Sequence, residues 1–119
     1  MSVARELAAA VRSFAYRDIP EEAVQQTKRI LLDTLGCALG GYGSEASRII
    51  QEFVRESRHP QEATVFGSGM KTSCLKAVLA NGAMVRYLDY NDTAFILQGE
   101  QYRTGYHPSE IMPAVLALG

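Results

Sequence analysis

Charge of either sign is not in excess: 12 Lys and Arg stand against 13 Asp and Glu, for a net charge of −1. A chain that grips nucleic acid or an anionic membrane carries a basic surplus, so neither partner is expected. Missing too is any apolar run of the roughly 18 residues that a membrane span requires. The N-terminal stretch "MSVARELAAAVRSFAYRD" is interrupted by Arg5, Glu6 and Arg12, and so lacks the unbroken apolar core of a secretory signal. Cysteine is scarce. Cys37 and Cys74 fall on separate predicted helices, outside any CxxC or Cys/His cluster. That argues against a metal site and for buried free thiols in a reducing cytoplasm. No GxGxxG, Walker or HExxH motif occurs, and there are no internal repeats, low-complexity tracts or linkers.

What is present is an ordinary globular composition, 47% hydrophobic and 21% charged over 119 residues. It suffices for one core and at most one domain. Residues 3 to 16 place Val3, Leu7, Ala10, Val11 and Phe14 on one helical stripe. "DIPEEAVQQTKRILLDTLGCALGG" reads as a second helix. Pro20, Glu21 and Glu22 favour its start, and Gly40-Gly41 its stop. Its expected buried face is Val24, Thr27, Ile30, Leu31, Leu35 and Ala38. Ser44 caps a third helix, lined by Ala46, Ile49, Ile50, Phe53 and Val54. "ATVFG", from Ala63 to Gly67, is the one candidate for a short extended strand. Thr72 or Ser73 then caps a fourth helix, "CLKAVLANGAMVRYL", whose Ala77, Ala80, Gly82 and Ala83 suggest close helix–helix approach. A last helix begins near Ser109, with Pro113 in its first turn. The expected fold is all-α: a bundle of about five helices with at most one short strand. "EIMPAVLALG" stops after about two helical turns, which is marginal unless packed. The chain is therefore expected to be a fragment of something longer, or to dock on a partner.

The chemistry concentrates in "LDYNDTAFILQGEQYRTGYHPSE", residues 88 to 110. The interval from about 90 to 108 is the longest irregular stretch, and loops of that length are usually functional or disordered. One reading is local: Asp, Asn and Thr satisfy backbone groups where a helix stops, and His-Pro-Ser opens the next helix with Ser109 as cap. The other is catalytic. A carboxylate (Asp89), a hydroxyl (Thr93) and an imidazole (His107) bracket one loop, with a helix start after the imidazole. Imidazole exchanges a proton near neutral pH, a carboxylate fixes its tautomer, and a helix start welcomes an anion. That set suits proton abstraction beside a carboxylate-bearing carbon.

Four blocks, "KRILLDTLGCALGG", "EATVFGSG", "AVLANGAMVRYLDYNDT" and "HPSEIMPAVLAL", resemble the N-terminal part of the MmgE/PrpD family. That family includes 2-methylcitrate dehydratase, cis-aconitate decarboxylase and iminodisuccinate epimerase. The resemblance implies a large helical domain built from both chain ends, with a smaller lid inserted later. Residues 1–119 would then be the N-terminal part of the helical domain, the lid and C-terminal part lying outside this chain. It also implies homodimers, small di- or tricarboxylate substrates, and no metal or other cofactor. Carried onto this sequence, it makes His107 the proton donor or acceptor, with Asp89 and Thr93 positioning substrate or imidazole. Asn91, Asp92, Ser109 and Arg86 are candidate substrate contacts, Arg86 having an exposed salt bridge as its alternative.

The "DYN" spelling resembles the dehydratase branch more than the decarboxylase's "DFD". The stretch between Thr93 and His107, with Tyr102, Arg103 and Tyr106, is longer than the decarboxylase's, and either reshapes substrate choice or is a solvated loop. The family's catalytic lysines and a further histidine are expected beyond residue 119, leaving Lys28, Lys71 and Lys76 as surface residues. The expected function is dehydration of a small tricarboxylate such as 2-methylcitrate. Decarboxylation of cis-aconitate, epimerisation, or a non-catalytic association role are the alternatives.

Overall fold

A computed structural model describes residues 2–56, 60–99 and 101–119, with backbone alone at 96–98 and 102–104. The helices are α1 (Val3–Ser13), α2 (Glu21–Gly41), α3 (Glu45–Arg55), α4 (Cys74–Arg86) and α5 (Met112–Leu118). Short 3-10 turns occupy Tyr16–Asp18 and Pro108–Glu110. The described residues also include two antiparallel pairs of strands: β1 (Ala63–Thr64) with β2 (Lys71–Thr72), and β3 (Ala94–Gln98) with β4 (Gln101–Tyr106).

Local chemistry sets the helix starts. Pro20, at φ −57°, immediately precedes α2, and Glu21 and Glu22 occupy its first turn, where the positive end of the helix dipole favours anions. The Ser44 hydroxyl accepts from the Ser47 amide at 3.2 Å, capping α3 as its sequence suggests. At α4 the expected Ser73 cap makes no side-chain bond; the Glu62 carboxylate accepts from the Cys74 amide at 3.0 Å instead.

α4 is the central element, packed against α2, α3 and α5. Its Ala80, Met84 and Val85 join Ala38, Val54 and Val65 in the main core, and its Ala77 meets Ala63 and Ala117 in a second. The close approach to α2 comes from Gly41, where an added Cβ would fall on the Met84 carbonyl oxygen. Gly82 has open space at the equivalent point, so the expectation that it mediates helix contact is corrected. Asn81, fully buried, ties the β1 segment to α4: its Oδ1 accepts from the Phe66 amide at 2.9 Å and its Nδ2 donates to the Thr64 carbonyl at 3.0 Å.

The five-helix bundle stands, and three further details differ from expectation. Among the described residues four strands replace the single candidate, because Lys71–Thr72 pairs back onto Ala63–Thr64 and Ala94–Gln98 pairs with Gln101–Tyr106. The buried face of α2 is Thr34, Cys37, Ala38 and Gly41, all in its C-terminal half, while Thr27 is exposed. The α1 stripe is not buried: Val3, Leu7, Val11 and Phe14 are 59–73% exposed. Among the described residues, no helix is long and apolar enough to cross a membrane.

Candidate active site

The β3–β4 hairpin explains how residues fifteen positions apart become neighbours. Ala94 pairs with Tyr106, so the chain entering the hairpin lies beside the chain leaving it. Gly99, at φ +66°, supplies the left-handed backbone at the turn. The register shifts between Ile96 and Leu97, a bulge of the kind that bends a two-stranded ribbon. The long interval between Thr93 and His107 is thus a closed loop of strands, and its length leaves the spacing of its ends unchanged. This replaces the irregular stretch expected over 90 to 108.

Beyond α4 the chain turns at Asp89, whose φ of +53° is left-handed, a conformation Asp tolerates better than most residues. Asn91 then stitches the turn down. Its Nδ2 donates to the Val85 carbonyl at 3.0 Å, an oxygen in the last helical turn, and to the Ser109 hydroxyl at 3.3 Å. Asp92 makes two contacts across the hairpin ends. Its Oδ1 accepts from the Ser109 amide at 3.2 Å, and its main-chain oxygen meets His107 Nδ1 at 2.6 Å. A carbonyl can only accept, so Nδ1 carries the proton and Nε2 of the neutral ring keeps its lone pair. That is the form in which imidazole takes a proton from carbon.

The placement of the other candidates is mixed. Asp89, expected to position substrate or imidazole, is 85% exposed in its side chain and pairs with Arg86 at 3.4 Å; the group that meets the imidazole is the Asp92 carbonyl. Arg86 also reaches Glu110 at 4.0 Å, so two carboxylates already offset its charge. Such exposed pairs contribute no more than ~1 kcal/mol. Thr93 is exposed and its methyl lies beside Gly105. Ser109 is fully buried and does not cap a helix. A 3-10 turn follows His107, and α5 starts only at Met112. The anion-welcoming helix start expected directly after the imidazole is therefore absent, and the free amide there is already taken by Asp92. The side chains of Tyr102 and Arg103 lie outside the described residues; Tyr106 is half exposed. Lys28 and Lys71 are exposed, and Lys76 sits 4.5 Å over the Phe53 ring, away from the loop.

The sequence reading missed α2 as part of this region. The Cys37 thiol is held above the ordinary thiol range by burial first, then by the carboxylates of Asp33 and Asp92. The 3-10 turn whose Ser109 amide Asp92 holds packs against α2. The available signal was the spacing of Asp33 and Cys37, four apart on one helical face. Within the cluster, Asp92 Oδ2, Asn91 Oδ1 and Arg86 Nη1 are buried without a hydrogen-bond partner, which is costly for groups of this kind unless something else meets them.

The MmgE/PrpD N-terminal domain matches residues 5–119. The chain belongs to the MmgE/PrpD family. Cis-aconitate decarboxylase from Homo sapiens is 24% identical over 98% of this chain and 23% of its own length. 2-Methylcitrate dehydratase from Salmonella typhimurium is 33% identical over 73% of this chain and 17% of its own. That from Cupriavidus necator is 30% identical over 80% and 19%. The chain thus spans about a fifth of the length of these MmgE/PrpD relatives. No solved structure matches it.

Proposed function

We propose that residues 1–119 form one wall of the active site of an MmgE/PrpD-type lyase that dehydrates a small tricarboxylate such as 2-methylcitrate. A carbon–hydrogen bond beside a carboxylate and a neighbouring carbon–oxygen bond break, a carbon–carbon double bond forms, and proton and hydroxide leave as water. His107 Nε2 exchanges the proton. Thr93 and Asp89 line the approach from the solvent side, with Asn91 and Arg86 at the margin as candidate substrate contacts. The observation that supports this reading best is the bond from His107 Nδ1 to the Asp92 carbonyl at 2.6 Å, which leaves Nε2 basic. The names of the dehydratase relatives supply the substrate class.

A second chemistry on the same site is decarboxylation: a cis-aconitate decarboxylase matches 98% of this chain, alongside alkylcitrate dehydratases that match 96%. The polypeptide encoded by the whole reading frame containing residues 1–119 separates the two when assayed on 2-methylcitrate, citrate, cis-aconitate and iminodisuccinate. Alkene formation without carbon dioxide release is the expected result. Carbon dioxide from cis-aconitate, or turnover of iminodisuccinate alone, overturns the dehydratase assignment. The active assembly is proposed to be a homodimer. The apolar α1 stripe suits burial in a larger helical body, and light scattering on the same polypeptide reads the assembly directly.

A further inference from the structure

Asp92 stands out among the polar residues of the loop because both its main chain and its side chain hold the segment that carries His107. The main-chain oxygen accepts from His107 Nδ1 at 2.6 Å, and two residues on, the Ser109 amide donates to Oδ1 at 3.2 Å. Pro108, between them, offers no amide of its own. The His107–Ser109 segment is therefore pinned at both ends by one residue. The pin itself is anchored: Asn91, its neighbour, donates to the Val85 carbonyl of α4 and to the Ser109 hydroxyl. Ser109 is fully buried.

From this geometry we infer that Asp92 is the positioning residue for His107: its carboxylate docks the His-Pro-Ser turn so that its own carbonyl imposes the Nδ1–H tautomer. Free neutral histidine prefers the opposite tautomer, with the proton on Nε2. Left to itself the ring would present a donor, not a lone pair, at the nitrogen facing away from Asp92. The carboxylate does not touch the imidazole; it acts through the turn. Asp89, by contrast, is tied to Arg86 at the exposed margin and has no part in choosing the tautomer. The inference deepens the lyase reading and takes its chemical meaning from it, but its test does not use turnover.

The chain has two histidines, so a His59→Gln background leaves a single imidazole to observe. In ¹⁵N-labelled protein above the imidazole pKa, proton–nitrogen correlation spectra of the ring distinguish the tautomers directly. His107 is expected to show Nδ1 as the protonated, pyrrole-like nitrogen and Nε2 as the bare, pyridine-like one. Asp92→Ala removes the acceptor for the Ser109 amide and is expected to shift the ring toward the Nε2–H form. Asp92→Asn retains an oxygen acceptor and is expected to restore the parent spectrum. Asp89→Asn should leave the ring signals where they are. An Nε2–H ring in the parent protein overturns the inference, and so does an Asp92→Ala ring spectrum identical to the parent's. The parent measurement needs no variant at position 92, so a failure of Asp92→Ala to fold leaves the inference testable. An inactive polypeptide with the Nδ1–H tautomer would count against the lyase reading alone.

Discussion

A buried thiol among carboxylates holds its proton, and Cys37 is such a thiol, with Asp33 on its own helix and Asp92 across from the loop. Because the folded state binds that proton more tightly than the unfolded chain does, its contribution to stability is full below the ordinary thiol pKa. It is lost as pH rises through the thiol range. In a Cys74→Ser background, titration of thiolate ultraviolet absorbance should show Asp33→Asn lowering the Cys37 pKa and Asp92→Asn lowering it by less. No change with Asp92→Asn would mean that the loop carboxylate does not face α2. Asn81 makes a second prediction at this scale. Asn81→Ala leaves the Phe66 amide and Thr64 carbonyl without their partner and should destabilise the protein by about 2 kcal/mol in denaturant unfolding. A change below about 0.5 kcal/mol would contradict that role for the amide.

At the level of elements, two glycines of α2 should behave oppositely on replacement by alanine. Gly36 has open space where a Cβ would stand, so Gly36→Ala should gain up to about 1 kcal/mol from helix propensity. At Gly41 the same Cβ would meet the Met84 carbonyl oxygen, and overpacking there should cost about 1–3 kcal/mol. Thermal unfolding of both variants checks the pair, and equal shifts would refute the α2–α4 contact. These cases also mark what was legible in the sequence. The helices were, because their signals are local: apolar spacing gives the five-helix count, and capping preferences give the Ser44 cap and the proline entry to α2. So was the clustering of polar groups around residues 89 to 109. Packing partners were not. Nothing in "GCALGG" says which glycine meets a neighbouring helix. The hairpin went unread although Gly99 marks its turn, because a bulge breaks the alternation that would have revealed paired strands. The tautomer-setting group was hidden for a different reason. It is a main-chain carbonyl, which every residue possesses, so attention fell on the side chain of Asp89.

Across the whole molecule, the radius of gyration is 16.8 Å, against roughly 13.5 Å for a compact chain of this length. The excess is consistent with α1, none of whose residues is buried. Removing α1 from the 119-residue chain should therefore change its unfolding free energy by less than about 1 kcal/mol, since little apolar area of α1 is buried within this chain. A larger loss would show that α1 packs on the bundle in solution. The remaining helices gather on α4, whose C-terminal end carries the loop of polar residues and thereby joins the core to the proposed chemistry. His107 is where that chemistry stands or falls, and the direct test is the kcat of the polypeptide encoded by the whole reading frame. His107→Gln should lower kcat by roughly 10²–10⁴-fold, the contribution of a positioned acid–base group, with the circular dichroism spectrum and unfolding midpoint unchanged. Turnover within a few-fold of the parent, in a folded variant, would contradict the assignment.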